Sequence, residues 1–540
     1  MVCSGMSQET TTFATSADPR TLGAVLRAQA DRHPDDPFIV FGDRSWSFCR
    51  LETESTCLAA ALAELGVEPG DRIAIDLPNW PEFAVTLFAA AKLGATVVPL
   101  NPELAPRDVQ FMLRNSEATV VVAAEQYGDR DYLQLFETML VGLPDLQYVV
   151  TVGEEDLWYD DRIYQFEDLV SAGRGRELPD AELDPSEAAL AILYTAGTTG
   201  KAKGVVLSHD NLVLTSDATG KGIGLRPDDI TLCAVPLFNI FGMSTLLGAL
   251  LSGSRVVLQE RFEPAEAVAL VETHRATVLH GVPTMFVMAL REAGGRDLSS
   301  LRTGIVAGAP VAADLVSRVR EELVPNLEIG YGLTETSPTV TLTSPTDPAE
   351  KRSGTVGRPL AGVSVQVCDE AGGALSAGQE GVVAVKGFNV MLGYFRQPGE
   401  TAAALTPEGY LTTGDIGVLD DEGYLQIVGR AGDDIIRGGY SIHPREVEDH
   451  LRSHPAVMNA VVVGVPNEVL GELICACVQP LEGAIITGDE LREYCASALA
   501  GYKVPDLVRF FEVFPMMPSG RVRRVEVAEL ARAELSGSEG

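Results

Sequence analysis

The chain has 540 residues, too long for one hydrophobic core, since single cores stop growing at roughly 250–300 residues. It is 46% hydrophobic and 22% charged, an ordinary composition for a soluble globular protein. The formal net charge of −35 is spread without a single acidic block. It argues against nucleic acid and anionic membrane surfaces as partners and reads as a solvated acidic surface.

In chain order, residues 1–18 are polar and rich in Thr and Ser, with neither the basic nor the apolar stretch of a secretory signal, and residues 1–20 read as a disordered tail. Residues 22–32 and 51–65 carry apolar residues at helical spacing. Short apolar segments at 73–75, 96–98 and 119–123 predict buried strands, with a buried helix over 83–93. The apolar run 83–91 is closed by Lys92 and is too short to cross a bilayer. Strand–helix alternation continues to about residue 330 and predicts an α/β fold with layered parallel sheets. Residues 353–428 are richer in glycine and short strands, such as 364–367 and 381–385, and predict a β-rich subdomain. Beyond Arg430 a small α+β unit begins, with helices at 447–451 and 488–499, a strand at 457–463 and a frayed tail at 536–540. The expected units are therefore a tail (1–20), a large N-terminal domain (21–431) and a small mobile C-terminal domain (432–540).

Eight cysteines are scattered without metal-ligand spacing, and seven histidines form no cluster. Cys475-Ala476-Cys477 lies in the apolar run 473–478, where strand alternation would bury both sulfurs on one face. A reducing, cytoplasmic environment and no membrane span are expected.

The most informative stretch is Tyr194-Thr195-Ala196-Gly197-Thr198-Thr199-Gly200-Lys201-Ala202-Lys203-Gly204. It packs three glycines, three threonines and two lysines between two apolar runs. Such a loop can turn backbone N–H groups, hydroxyls and ammonium groups toward a polyphosphate. It is not a P-loop, because no Ser or Thr follows the lysine at the required place. Downstream come Gly330-Tyr331-Gly332-Leu333-Thr334-Glu335, behind a short strand-like segment, and then Thr412-Thr413-Gly414-Asp415 ahead of Gly429-Arg430. In this order, with Gly66-Val67-Glu68-Pro69-Gly70-Asp71-Arg72 early and residues 515–524 late, the chain resembles the adenylate-forming superfamily over nearly its whole length. That superfamily comprises acyl-CoA synthetases, nonribosomal adenylation domains and firefly-type luciferases.

The resemblance implies a two-step reaction. A carboxylate is first joined to the α-phosphate of ATP, and the acyl group then passes to a thiol such as that of coenzyme A. It assigns the β- and γ-phosphates to Thr195, Gly197, Thr198, Thr199, Gly200, Lys201 and Lys203. Mg²⁺ falls to Glu335 with Thr198, and the α-phosphate to Thr334. Tyr331 and Gly332 would hold one face of adenine and Gly308-Ala309-Pro310 the other. Asp415, supported by Arg430, would take the ribose hydroxyls. The acyl pocket would be walled by Phe238, Asn239, Gly281, Met285, Ala307 and Leu333, mostly apolar or small, which suits a hydrophobic carboxylic acid or its adenylate. In the small unit Arg437, Gly438, Gly439 and Tyr440 would face coenzyme A, the glycines giving pantetheine close passage along the backbone. Read without the resemblance, these residues also fit a surface turn, a helix cap at Thr334, a turn at Asp415 and plain core packing.

Three residues depart from the family pattern. Asn239 stands where many relatives have histidine. Gly432 stands at the hinge, where Lys or Asp is common. Arg521, in Pro515-Met516-Met517-Pro518-Ser519-Gly520-Arg521, stands where relatives carry the catalytic lysine of adenylation. Guanidinium is wide and planar where ammonium is compact, so the sequence predicts an acyl-CoA ligase with impaired adenylation and an intact thioester step. A separate adenylating enzyme would then supply the acyl-adenylate. A complete two-step ligase, a stand-alone adenylation enzyme loading a carrier protein, and a non-catalytic acyl-adenylate sensor remain open at this point.

Overall fold

Local patterning accounts for the first layer. The helix expected from Leu51 starts at Phe48, because Ser47 caps it by accepting the Arg50 N–H at 3.2 Å. Pro81 opens the helix Pro81–Leu93, and Gly94 closes it at φ 77°, in the left-handed region that glycine adopts without a Cβ penalty. Every residue of this helix is buried, Lys92 included. The Lys92 ammonium is held by an ion pair to Glu52 at 2.7 Å and by the hydroxyls of Ser55 and Thr56 at 2.8 and 2.7 Å, which is how an apolar layer accommodates a charge.

The structure, a computed structural model, describes residues 20–128, 130–153, 161–178, 181–195, 202–369, 371–430, 435–437, 440–442, 444–467, 470–499, 501–516 and 522–537. It is an α/β fold with a large N-terminal domain and a smaller C-terminal one. One eight-stranded sheet runs, in spatial order, Gly393–Tyr394, Lys203–Ser208, Ala189–Thr195, Thr96–Pro99, Arg72–Asp76, Val120–Ala124, Tyr148–Val152, Ile163–Gln165. Its last six strands are parallel, and the first two are antiparallel additions at one edge. A nine-stranded sheet has a parallel interior from Asn326–Gly332 through Thr303–Val306 and Val278–Leu279 to Pro37–Phe41. The expected β-rich subdomain is a four-stranded antiparallel sheet, Ser364–Cys368, Glu380–Lys386, Leu411–Leu419 and Leu425–Arg430.

The last sheet draws only on later residues: Ile435–Arg437, Tyr440–Ile442, Val457–Asn467, Gly471–Pro480 and Leu507–Phe510. Cys475 and Cys477 lie on one face of Gly471–Pro480, fully buried among Val461, Val463 and Phe514. The C-terminal helix Arg524–Gly537 runs into the segment read as a frayed tail, correcting that reading for Ser536 and Gly537. Of the expected tail 1–20, residues 1–19 lie outside the described residues, as does the expected hinge Gly432, while Arg20 is placed and donates to Asp210 Oδ2 at 2.7 Å. Among the described residues no helix is long and apolar enough to cross a membrane.

Asp76 ends a central strand, is fully buried, and neither of its carboxylate oxygens has a hydrogen-bond partner among the described residues. Burial raises its pKa from 3.8 to about 7, against the opposing charge of Arg130. Between those values the folded chain keeps a proton that the unfolded chain releases. Stability therefore falls as pH rises from about 4 to about 7 and stays at the lower level above that. Asp76→Asn should raise stability more at pH 8 than at pH 5, the difference amounting to roughly 1–3 kcal/mol. Urea unfolding at the two pH values measures this, and equal effects would refute it.

Candidate active site

The carboxyl ends of parallel strands are where open α/β sheets hold ligands. In the nine-stranded sheet Thr303–Val306 and Asn326–Gly332 are neighbours. Beyond the first lies Gly308 at φ 84°, followed by exposed Ala309 and Pro310, and the second carries Tyr331 near its end. The Tyr331 hydroxyl donates to Asp415 Oδ2 at 2.8 Å. Asp415 comes from the four-stranded sheet, where a bulge aims it. Val382 pairs with Ile416 while Ala384 pairs with Thr412, so Thr413, Gly414 and Asp415 loop out between them. Gly414 takes φ 76°, and Thr413 Oγ1 donates to the Val383 carbonyl at 2.9 Å while accepting the Asp415 N–H at 3.1 Å. Asp415 is therefore a buried strand residue and not the turn residue that a Gly-Asp pair alone suggests. Arg430 pairs with it in register, its guanidinium 3.6 Å from Oδ1. Burial, reinforced by the Asp415 charge, holds the Tyr331 phenol well above its usual pKa, so it stays a donor.

Thr334 and Glu335 lie in a short 3-10 turn, Thr334–Thr336, where a helix cap had been the structural alternative. Thr336 Oγ1 accepts the Leu333 N–H at 2.9 Å and lies 2.9 Å from the Pro338 carbonyl to which it donates. The Met391 N–H donates to the Glu335 carbonyl at 3.0 Å. The Glu335 carboxylate accepts the Tyr394 hydroxyl at 3.0 Å through Oε1, and its other oxygen has no hydrogen-bond partner among the described residues. The Thr334 hydroxyl likewise has none. Thr195 and Lys203 face each other as the closing pair of the hairpin Ala189–Thr195 and Lys203–Ser208. Lys203 pairs with Glu400, and its ammonium sits 5.0 Å from the centre of the Tyr394 ring. Gly197, Thr198, Thr199, Gly200 and Lys201 lie outside the described residues.

Among the acyl-pocket candidates, Gly281 and Ala307 are joined by the Ala307 N–H donating to the Gly281 carbonyl at 3.2 Å, and Met285 packs against Gly281. Phe238, Asn239 and Leu333 are half-buried. Asn239 opens the helix Ile240–Ser252 without capping it, and its amide has no partner among the described residues. Two small cavities adjoin this region, about 10 and 20 Å³, each with room for about one water. The smaller is apolar and touches Gly281 and Met285. The larger is bordered by Phe241, Ser216, Ser244, Thr245 and His280, a more polar lining that includes none of the six acyl-pocket candidates. His280 is buried and accepts the Ile305 N–H at Nδ1, 3.0 Å, and burial lowers its pKa to about 4, which leaves it neutral.

In the small domain Arg437 and Tyr440 are the closing pair of a hairpin. The Arg437 guanidinium is engaged by both oxygens of Asp506 at 2.8 and 2.5 Å, so its fork is committed inside its own sheet. Gly438, Gly439, Gly432 and Arg521 lie outside the described residues. The sequence reading passed over Tyr394, Glu400 and His280. A Gly-Tyr pair and a glutamate after a proline are common in loops, and His280 stands alone in an apolar stretch, so none carried a local signal.

Residues 26–395 match the family AMP-binding enzyme, and residues 446–521 match the AMP-binding enzyme C-terminal domain. The chain belongs to the AMP-binding enzyme family. It is 32% identical to the putative acyl-CoA synthetase YngI of Bacillus subtilis, covering 94% of this chain and 96% of that one. It is 34% identical to a feruloyl-CoA synthase of an Amycolatopsis species, covering 94% and 98%. Among solved structures, ATP-bound MatB from Rhodopseudomonas palustris superposes with a TM-score of 0.83 at 28% identity, over 94% of this chain and 99% of that one. The anthranilate CoA ligase AuaEII with anthranoyl-AMP gives 0.86 at 25%, over 95% and 98%.

In this AMP-binding enzyme the turn that carries Glu335 is entered through Gly332. A Cβ added there would lie 1.6 Å from the Pro338 carbonyl oxygen, a backbone atom that no rotamer change can clear. Gly332→Ala should therefore destabilise the fold by roughly 1–3 kcal/mol, the cost of a strained backbone site. Urea unfolding tests it, and an unchanged midpoint would show that the turn can relax.

Proposed function

We propose that this AMP-binding enzyme is an acyl-CoA ligase acting on a hydrophobic carboxylic acid through an acyl-adenylate, with the adenylation half weakened by Arg521 and the thioester half intact. The supporting observation is the set Tyr331, Asp415 and Arg430. It offers an aromatic face beside a carboxylate with two acceptor oxygens, which suits an adenine and its ribose diol. Gly308, Ala309, Pro310 and Gly332 would border the ring. Thr334 would meet the α-phosphate, and the loop from Thr195 to Lys203 the β- and γ-phosphates. Glu335 suits Mg²⁺, which takes few carboxylates together with phosphate oxygens and waters; Thr198 would be its second protein contact. Bound there, Mg²⁺ would offset charge on the phosphate oxygens.

The names of the relatives favour coenzyme A as acceptor over a carrier protein or oxygen. On this reading residues 432–540 form a small mobile domain that pivots on Gly432 against residues 21–431, and Gly438 and Gly439 pass pantetheine close to the backbone. In the adenylation pose Arg521 would stand between the substrate carboxylate and the α-phosphate. Its charge is right, but its planar fork does not fill the place of an ammonium, and a misplacement of ~1 Å can cost about a hundredfold. The thioester pose carries Arg521 away and does not depend on it. An acyl-adenylate supplied by a separate enzyme would then be the natural substrate.

Asp415→Ala should weaken binding of AMP and of a non-hydrolysable acyl-AMP analogue about ten- to a hundredfold, because a charge-assisted hydrogen bond is worth about 1.5–3 kcal/mol. Calorimetry on the folded variant measures it, and unchanged affinity would refute the ribose assignment.

Arg521→Lys should raise acid-dependent pyrophosphate exchange about ten- to a hundredfold while leaving conversion of synthetic acyl-adenylate and CoA to acyl-CoA nearly unchanged. The acid used must first be shown to bind. Robust exchange by the wild type with that acid would make the chain a complete two-step ligase.

A further inference from the structure

Tyr394 touches two groups of the proposed phosphate end that come from separate parts of the chain. Its hydroxyl donates to Glu335 Oε1 at 3.0 Å, and its ring lies 5.0 Å from the Lys203 ammonium. Its backbone is held by hydrogen bonds of its own. Tyr394 pairs in register with Val205 on the strand that begins at Lys203, and its N–H donates to Thr401 Oγ1 at 2.9 Å. The next residue, Phe395, donates its N–H to the Gly204 carbonyl at 2.7 Å. Glu400, in the helix Pro398–Ala404 that follows, pairs with Lys203. Glu335 is also tied by its own carbonyl, which accepts the Met391 N–H at 3.0 Å, three residues before Tyr394.

A carboxylate free at both oxygens swings about its last bond. One held through Oε1 presents Oε2 in a set direction. Partners that orient a metal ligand in this way are worth about ten- to a hundredfold in metal affinity. A ring under an ammonium restrains it and adds a modest attraction. Both constraints converge on one side chain.

We propose that Tyr394 is the positioning residue of the polyphosphate end: its hydroxyl fixes the Glu335 carboxylate so that the second oxygen faces a divalent cation, and its ring seats Lys203 for the terminal phosphates. This rests on the reading of Glu335 and Lys203 given above. The two roles separate by substitution. Tyr394→Phe keeps the ring and loses the hydroxyl. Tyr394→Leu loses both and keeps the backbone pairing. AMP, which needs neither Mg²⁺ nor Lys203 on this reading, is the internal control.

The experiment measures Mn²⁺ binding to the full chain with ATP by electron paramagnetic resonance, and metal-free ATP and AMP binding by calorimetry. Tyr394→Phe should weaken Mn²⁺ binding about tenfold and leave metal-free ATP and AMP affinities unchanged. Tyr394→Leu should weaken Mn²⁺ binding equally and metal-free ATP binding a further roughly two- to fivefold, with AMP again unchanged. In a Glu335→Gln background Tyr394→Phe should cause no additional loss of Mn²⁺. Unchanged Mn²⁺ affinity in Tyr394→Phe, or equal loss of AMP affinity in both variants, overturns the positioning role while leaving the nucleotide site standing. Failure of the wild type to bind AMP at all overturns both.

Discussion

The placement of the Glu335 turn depends on buried hydrogen bonds between residues 333–339 and 388–391. Ser337 Oγ donates to the Asn389 carbonyl at 2.9 Å, and Asn389 Nδ2 donates to the Thr339 carbonyl at 3.0 Å. Both side chains are fully buried. Asn211 extends the tie to the other sheet. Its amide donates to the carbonyls of Phe388 and Val390 at 2.6 and 3.0 Å, while its oxygen accepts the Ser208 N–H in a capping box. The turn after Asn326–Gly332 and the helix after Lys203–Ser208 are thus fastened to one segment, which continues into Gly393–Tyr394. Leaving any one of these buried groups unpaired costs about 1–3 kcal/mol, so the junction is stiff in several places at once. The same segment leads into Tyr394, whose hydroxyl reaches Glu335 at 3.0 Å.

A chain with net charge −35 is an odd host for ATP and coenzyme A, both polyanions. Beyond about 10 Å at 0.1 M salt the surface charge is largely screened, so binding must come from local donors. The described cations near the site are already partnered by acids: Lys203 by Glu400, Arg430 by Asp415. On the proposed function a phosphate that engages Lys203 would have to compete with Glu400, the more exposed member of the pair. The pair would keep the cation placed when no phosphate is present. Arg437 is different, because both oxygens of Asp506 hold its fork.

Local patterning carried most of the architecture. The helix at residues 22–32 was legible to the residue because its apolar spacing and its ends coincide. Strands 73–75 and 96–98 were legible because buried parallel strands are short apolar runs. The Thr334 and Asp415 segments stood out only as motifs, and their surroundings, a short 3-10 turn and a buried strand, were not legible. The reason is the same in each case. Asp415 is aimed by a bulge whose partner strand lies elsewhere in the sequence, and its contact with Tyr331 spans 84 residues. Tyr394 and Glu335 are 59 residues apart. No window on the chain shows such pairs. His280 and the hydroxyls around it escaped for a further reason: periodicity reports that a face is buried and says nothing of what polar groups share it.

Asp415, Tyr331, Glu335, Tyr394 and Lys203 all belong to the large domain, where hydrogen bonds link Tyr331 to Asp415 and Tyr394 to Glu335. On the proposed function this separates two properties that a lost catalytic lysine is often taken to abolish together. On that reading nucleotide recognition would rest on the strands that carry Tyr331 and Asp415, so an acyl-adenylate could be held whether or not this chain can make one. The proposed hinge at Gly432 would act the same way, since a residue without a side chain favours neither pose by a contact of its own. The balance between poses is then left to the surfaces that meet in each. On the proposed reading, a guanidinium in place of an ammonium would cost the adenylation pose part of its electrostatic reward and the thioester pose nothing. An enzyme built in the proposed way would retain its grip on the adenylate and its access to the thiol, and would be displaced toward the second half of the reaction by a single change of side-chain shape.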